Sequence, residues 1–264
     1  MTNTASSESS QEHCKVCSAP SDLFGEADVL RKYRAKYFRC GRCGFIQTEA
    51  PYWLEEAYST AIANQDVGIM WRNLQNCELT SAVLNLLFPK LRSAVDFGAG
   101  HGIFVRLMRD RGFNYFWSDL HATNDYARGF EYQEGFTCDF LTAFEVLEHL
   151  TDPVADLSKL MSLSENVFVS TCLVPEPAPG LSDWWYFVPS TGQHISFYTI
   201  ESLRLLAKKF GRNLLSHGSY HLFTTASKSN IRFSLATRLK TAQILNKLYS
   251  RTSMIEADFQ KMIK

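Results

Sequence analysis

Four cysteines near the start of the chain have the spacing of a metal site. Cys14 and Cys17 form one C-x-x-C pair, Cys40 and Cys43 form a second, and 22 residues lie between the pairs. Two such pairs supply four thiolates to a tetrahedral Zn²⁺ and leave no coordination position open for catalysis. A redox role is the alternative, but two pairs that bracket a short segment favour metal. We therefore predict a structural zinc site whose metal helps the segment to fold.

A glycine-rich turn follows a short apolar strand that ends near Asp96. Gly98, Gly100 and Gly102 leave bare backbone between this strand and an amphipathic helix, an arrangement that suits a ligand at a helix N-terminus, although a tight strand–helix connection alone would also explain it. The dinucleotide motif G-x-G-x-x-G would need a glycine at the position of Ile103, and the Gly-Lys-Ser/Thr of a P-loop does not occur. The turn is therefore predicted to bind a group of the ligand other than a phosphate.

Acidic and histidine side chains follow the next two predicted strands. Asp119 ends the second strand, 19 residues after Gly100, and Glu145 and His149 lie in the segment FEVLEHL that follows the third. Ligands of open α/β sheets bind beyond the carboxyl ends of the strands. All three side chains are therefore expected near the glycine turn.

An acid at a strand end followed by G-x-G-x-G resembles the cofactor loop of class I S-adenosylmethionine-dependent methyltransferases, and the whole stretch 94–172 resembles that family. The resemblance implies that Asp96 helps to hold the amino-acid end of the cofactor and that Asp119 accepts hydrogen bonds from its ribose hydroxyls. It implies S-adenosyl-L-methionine as the cofactor, with these binding residues: Asp96, Gly98, Gly100, Asp119, Glu145 and His149. The usual helix and strand with adenine contacts cannot be placed between Asp119 and Cys138.

The aromatic segment 183–198 follows a proline-rich loop and is the predicted substrate cover. Aromatic faces suit sugar rings or planar substrates, although a hydrophobic plug over the sheet edge would have the same composition. His194 is its only histidine, and a neutral imidazole can take a proton from an attacking hydroxyl. The segment resembles one found in bacterial sugar and glycan methyltransferases, which makes His194 the candidate catalytic base.

The absence of certain motifs and the presence of the zinc segment limit the classes of acceptor that the sequence predicts. No Asn/Asp-Pro-Pro-Tyr/Phe loop for amino methylation follows the third strand, and neither Cys138 nor Cys172 is placed as the nucleophile of base methylation. A zinc ribbon before this core resembles the deoxysugar C-methyltransferases of antibiotic biosynthesis, which carry a further α/β domain. We therefore expect transfer to a hydroxyl, or to an amine or carbon, of a small molecule: a sugar, nucleotide-linked sugar or glycan.

Two other functions remain open. An RNA methyltransferase with a zinc module would use the basic segment 31–42, read here as a loop, and the C-terminal segment of net charge +6, which has eight basic and two acidic residues. A non-catalytic module that docks a partner would keep the fold as a scaffold. The balance of 27 Lys and Arg against 27 Asp and Glu counts against a dedicated nucleic-acid binder.

The fold that positions all these residues is predicted by an alternation of strands and helices. From residue 94 to about 227, short apolar strands alternate with amphipathic helices, which predicts a Rossmann-like, doubly wound, mostly parallel α/β sheet. Asp152 and Thr199 are predicted N-caps. The predicted divisions are a zinc-binding ribbon (1–50) with a frayed start, a helical connector (51–93), the methyltransferase domain (94–227) and a basic helical tail (228–264).

Composition indicates where the protein works. The chain has 264 residues, 45% of them hydrophobic, which is enough for a real core. We find no secretory signal and no run of about 18 apolar residues, so no membrane span is expected. An odd count of seven cysteines favours a reducing compartment. The expected location is therefore the cytoplasm, and the oligomeric state is left open.

Overall fold

The computed structural model describes residues 12–59, 67–133 and 135–263. The predicted frayed start, part of the predicted connector and the last basic residue, Lys264, lie outside these residues. The strands are β1 (Glu12–His13), β2 (Pro20–Val29), β3 (Tyr33–Cys40), β4 (Ile46–Thr48), β5 (Ala94–Phe97), β6 (Tyr115–Ser118), β7 (Phe140–Phe144), β8 (Asn166–Ser170), β9 (Ser196–Phe197), β10 (Asn213–His217) and β11 (Tyr220–Thr224). The helices are α1 (Leu54–Ala57), α2 (Ile69–Leu87), α3 (Ile103–Asp110), α4 (Pro153–Leu163), α5 (Ile200–Lys209), α6 (Asn230–Ala236), α7 (Leu239–Leu248) and α8 (Ile255–Met262).

The larger sheet has six strands in the order β10-β11-β8-β7-β5-β6. Strands β6, β5, β7 and β8 run parallel, while β11 is antiparallel to both β8 and β10. The central strands β7 and β8 are almost wholly buried, as expected of a parallel sheet covered on both faces. The predicted α/β fold with a mostly parallel sheet is confirmed.

Local signals set the helix boundaries around this sheet. Asp152 caps α4 by accepting hydrogen bonds from two backbone N–H groups, with Pro153 in the first turn, and Thr199 caps α5 through a capping box, so both predicted N-caps are confirmed. Helix α3 buries Phe104, Val105 and Met108 against the sheet. Its N-terminus directly follows the glycine turn and therefore lies at the carboxyl edge of the strands.

The cysteine segment forms part of a second sheet. This sheet also includes a strand from a distant part of the sequence. The order β1-β2-β3-β4-β9 is antiparallel throughout, and its last strand comes from the segment predicted to cover the substrate. Thr199 also donates a 2.5 Å hydrogen bond to the carbonyl of Cys43. Residues 1–50 therefore do not form this sheet alone, and the domain division stays a prediction. Segment 31–42, read as a loop from sequence, contains strand β3.

The C-terminal helices pack on the domain instead of extending from it as a free tail. Helix α7 packs along α2, and α6 contacts α2 and β10. Asp258 of α8 is buried and pairs with the buried guanidinium of Arg109 through two contacts of 2.6 and 2.8 Å. No helix among the described residues is long and apolar enough to cross a membrane.

The stretch between Asp119 and Cys138 has little regular structure in its described part. One isolated bridge joins Trp117 to Glu131 beside the β6 edge. Asn124 accepts a hydrogen bond from the N–H of Ala127 and donates one to Glu131. The helix and strand that could not be placed from sequence are replaced by this hydrogen-bonded loop.

Candidate functional site

The glycine turn after β5 holds three residues in the left-handed region. Gly98, Gly100 and Gly102 have φ angles of 70°, 53° and 86°. A Cβ at Gly98 would lie 2.7 Å from Cγ2 of Val146, whereas a Cβ at Gly100 would have nothing within 4 Å. Glycine is therefore required at 98 by space and conformation together, and the backbone at 100 faces open space.

Asp119 fixes the shape of this turn from the end of β6. Its Oδ2 accepts a 2.8 Å hydrogen bond from the N–H of Gly100, and its Oδ1 accepts from the N–H groups of His121 and Ala122. Trp117 donates from Nε1 to the carbonyl of Gly100 at 2.8 Å. The backbone at Gly100 is therefore held on both sides by β6, beside the open space.

Asp96 lies beneath the turn and is buried. Thr142 of β7 donates a 2.6 Å hydrogen bond to one of its carboxylate oxygens. Burial, followed by the nearby charge of Asp119, raises the pKa of Asp96 to about 7 against a hydrogen bond that lowers it. The second oxygen has no hydrogen-bond partner among the described residues, so it is available to a cationic ligand.

Glu145, after β7, has a strained backbone conformation for a residue with a side chain. Its φ is 52°, its N–H donates to Ser170, and its Oε1 accepts a 2.6 Å hydrogen bond from the Ser170 hydroxyl. Such conformations persist where the surroundings enforce them, often at functional sites. Here β8 holds the residue at the carboxyl edge of the sheet.

Glu148, His149 and His194 meet close to Glu145. One ligating atom of each lies within 4.8 Å of those of the other two. Backbone hydrogen bonds bring the two segments together, because the N–H of Ile195 donates to the carbonyl of Glu148 at 2.9 Å. The sequence predicted His149 and His194 as site residues, and the structure places their rings edge to face with centroids 5.0 Å apart.

Two tyrosines complete this cluster. Tyr186 donates a 2.6 Å hydrogen bond to Oε1 of Glu148, and its carbonyl accepts one of 2.7 Å from Nδ1 of His194. The hydroxyl of Tyr58 lies 2.9 Å from Nδ1 of His149, which also contacts the carbonyl of Gln193 at 3.1 Å. Because a carbonyl only accepts, we assign the proton of each imidazole to Nδ1 and the lone pair to Nε2.

Burial controls the charge states of the cluster. It lowers the pKa of His149 to about 3, with the neighbouring His194 adding to the effect, and it also lowers the pKa of His194. It raises the pKa of Glu148, as does the charge of Glu145. Both imidazoles are therefore neutral near pH 7, and each can use Nε2 as a base or as a metal ligand.

The aromatic segment is divided between core and surface. Phe187 and Phe197 are buried and pack against each other with centroids 4.7 Å apart. Trp185 is 72% exposed and packs edge to face on Tyr186. The buried rings fit the hydrophobic plug that the sequence left open, and Trp185 is an exposed aromatic face beside Tyr186.

The four predicted zinc-binding cysteines lie together. Sγ of Cys14 is 3.6 Å from that of Cys43, and Sγ of Cys17 is 3.5 Å from that of Cys40 and 3.7 Å from that of Cys43. All four are free thiols. The hydrogen bond from Cys43 lowers the pKa of Cys14 to about 5, against burial, which raises it.

Sequence reasoning missed Glu148, Tyr186 and Tyr58 as site residues. Glu148 lies inside the segment FEVLEHL, where its position beside His149 was the available signal. Tyr58 and Tyr186 reach the cluster from distant parts of the chain, and no local motif marks either one.

Residues 70–217 match a family model described as a methyltransferase domain. Magnesium protoporphyrin IX methyltransferase from Synechocystis, solved with bound SAH, is similar at 14% identity and a TM-score of 0.43 over 64% of this chain and 90% of that chain. An O-methyltransferase family protein from Burkholderia thailandensis is similar at 15% identity and 0.45 over 67% and 68%. The plantazolicin methyltransferase in complex with SAH is similar at 10% identity and 0.48 over 74% and 90%. No curated protein matches the chain.

Proposed function

Because the chain belongs to the methyltransferase domain family, we propose that it transfers a methyl group from S-adenosylmethionine to a hydroxyl of a small-molecule acceptor. The observation that carries this proposal is the open glycine turn at the carboxyl edge of β5 and β6. Asp119 holds this turn by accepting the hydrogen bond from the N–H of Gly100. This edge is where open α/β sheets bind ligands.

The residues at this edge fit the cofactor. The unpartnered oxygen of Asp96 is available to its ammonium group, and the bare backbone at Gly100 leaves space for the methionyl chain and ribose. Asp119 accepts three backbone hydrogen bonds, so about one of its four lone-pair sites, on Oδ2, is left for a ribose hydroxyl. Glu145 and His149, at the carboxyl edge of β7, are the residues proposed for the other side of the cofactor. When bound, S-adenosylmethionine supplies a methyl group on a positively charged sulfur.

His194 is the proposed proton acceptor for the reaction. Its Nδ1–H is anchored on the carbonyl of Tyr186, so the Nε2 lone pair has a fixed direction. With the cofactor bound, transfer of its methyl group to the acceptor oxygen would release the proton of the acceptor hydroxyl. The hydroxyl proton passes to Nε2 of His194.

A sugar, nucleotide-linked sugar or glycan is the proposed acceptor. Trp185 offers an exposed aromatic face of the kind on which sugar rings stack, and it packs on Tyr186, which hydrogen-bonds both Glu145 and His194. Several positive charges of segment 31–42 are already paired: Lys32 with Glu56, and Arg34 with Glu26. This pairing leaves less of the segment available to the phosphates of RNA.

A structural zinc ion is proposed for the four cysteines. Four thiolates at about 2.3 Å from a tetrahedral ion would lie about 3.8 Å apart. Three of the six Sγ separations among Cys14, Cys17, Cys40 and Cys43 are 3.5 to 3.7 Å, and all six lie within 4.8 Å, so the ion would need little rearrangement. Because Cys40 and Cys43 flank the turn before β4, the ion would stabilise the sheet that ends in β9.

Two measurements test the proposal in sequence. Calorimetry with S-adenosylmethionine and with its demethylated product should show one site per chain. A screen of nucleotide sugars and glycans with methyl-labelled cofactor should then show label transfer to an oxygen. Absence of cofactor binding would refute the function, whereas binding with transfer only to RNA would refute the sugar acceptor.

A further inference from the structure

Glu148, His149 and His194 have the composition of a transition-metal site. Two imidazoles and one carboxylate form a common set for divalent ions such as Zn²⁺ and Fe²⁺, and three protein ligands leave coordination positions open. The three ligating atoms lie within 4.8 Å of one another. Bonds of about 2.0 to 2.2 Å would bring them about 3 to 4 Å apart, a contraction that side-chain rotation can supply.

Both histidines are already oriented as metal ligands usually are. In metal sites the second nitrogen of a ligating histidine donates to a carbonyl or carboxylate, which fixes the tautomer and the ring. Nδ1 of His194 contacts the carbonyl of Tyr186, and Nδ1 of His149 contacts that of Gln193. Neither Nε2 atom has a hydrogen-bond partner within the described ranges.

Glu148 provides an independent observation. The residue is fully buried, Tyr186 binds its Oε1, and its Oε2 has no hydrogen-bond partner among the described residues. A buried carboxylate oxygen without a partner is costly, and a cation is one of the few groups that compensates for it. No lysine or arginine among the described residues forms an ion pair with Glu148.

We propose that Glu148, His149 and His194 bind one divalent transition-metal ion, separate from the ion at the four cysteines. The open coordination positions would take an oxygen of the acceptor. Ion binding itself does not depend on the proposed function, but its role in placing the acceptor rests on it. His194 is then a ligand in the ion-loaded protein and the proton acceptor only in the ion-free protein.

Cobalt separates the two metal sites by their spectra. The full chain, stripped of metal and loaded with Co²⁺, should bind two ions: one with the near-ultraviolet thiolate charge-transfer band of the cysteine site and one without it. Glu148→Gln keeps the acceptor for Tyr186 but removes the charge, and it should weaken the second site by about 100-fold or more. His149→Gln should do the same and leave the thiolate band intact.

His217→Gln is the matched control. His217 ends β10, which β11 separates from β8, and its ring contacts the hydroxyl of Thr237. This variant should keep both ions. One ion per chain in the wild type, with only the thiolate signature, would overturn the proposal, and so would a second ion that both cluster variants retain. Calorimetry of S-adenosylmethionine with Glu148→Gln and His217→Gln, neither of which is a proposed cofactor-binding residue, reports separately on the proposed function and on folding. Failure of cofactor binding with two ions present would refute the function alone.

Discussion

Oδ2 of Asp119 accepts a 2.8 Å hydrogen bond from the backbone N–H of Gly100. The contact joins the end of β6 to the glycine turn that follows β5, although 19 residues separate the two positions. The carboxylate thereby has two tasks in the proposed site: it shapes the turn and offers its remaining lone pair, on Oδ2, to the ribose.

Asp119→Asn should weaken cofactor binding by about 10- to 100-fold, because hydrogen bonds to a charged group contribute about 1.5 to 3 kcal/mol. Calorimetry with S-adenosylmethionine measures the change directly. Asp156→Asn is the control, since Asp156 lies on α4 and pairs with Lys159. Equal affinity in wild type and Asp119→Asn would mean that the carboxylate does not face the cofactor.

Asp96→Asn should stabilise the ion-free, cofactor-free protein in a pH-dependent manner. The native pKa of about 7 exceeds the unfolded value of 3.8, so the wild type loses stability as pH rises from about 4 to 7, and the loss is complete above pH 7. Asparagine carries no charge, so its advantage should grow over the same interval, to at most about 4 kcal/mol.

Urea unfolding at pH 4.5, 6 and 8 measures this difference. Asp22→Asn, on the exposed surface of β2, controls for the general loss of a negative charge. The same Asp96 variant should bind S-adenosylmethionine more weakly, since the ammonium partner has lost its charge. A stability difference that does not change with pH would contradict the raised pKa.

In the ion-free protein, His194→Ala should reduce turnover by about 10²- to 10⁴-fold, which is the usual contribution of a general base. Cofactor affinity should change little, because the proposed task of His194 concerns the acceptor. Single-turnover transfer and calorimetry on the same variant separate the two effects, with His217→Gln as the control. Turnover at the wild-type rate would remove His194 from the mechanism.

Local motifs explain which parts of the site were predictable. The glycine turn, the cysteine pairs and the cap at Asp152 are each encoded by residue types within a few positions, so sequence alone identified them. The methyltransferase enzyme predicted from the turn is confirmed by the family match.

Contacts between distant segments account for what sequence did not predict. Tyr186 meets Glu148 across 38 positions, and Tyr58 meets His149 across 91. Strand β9 has two residues, too few for any alternation to mark it. Such features arise only when separate segments pack, because neither partner carries a local signal.

Chelation should remove the proposed structural zinc and lower Tm by on the order of 10 °C, since metal-dependent segments lose several kcal/mol without their ion. Cys43→Ser should lower Tm similarly and remove one zinc per chain by elemental analysis. Cys172→Ser is the control, as Cys172 lies in a different part of the core. Unchanged zinc content in Cys43→Ser would refute the site.

The net charge of the basic C-terminal segment does not reveal that one of its acidic residues is buried. The segment of net charge +6 was predicted as a basic helical tail, and one of its two acidic residues, Asp258, is buried. Arg109, from the core helix α3, supplies the partner and also packs on the ring of Phe130 at 3.7 Å. An acid among many basic residues can therefore attach a segment to the domain.

Asp258→Ala should lower the free energy of unfolding by about 3 to 5 kcal/mol, because it leaves the guanidinium of Arg109 buried without its carboxylate. Glu256→Ala removes the same charge from an exposed position of the same helix and should change stability by less than about 0.5 kcal/mol. Urea unfolding of both variants gives the comparison. Equal stability of the two variants would mean that the Arg109–Asp258 pair does not hold α8 on the domain.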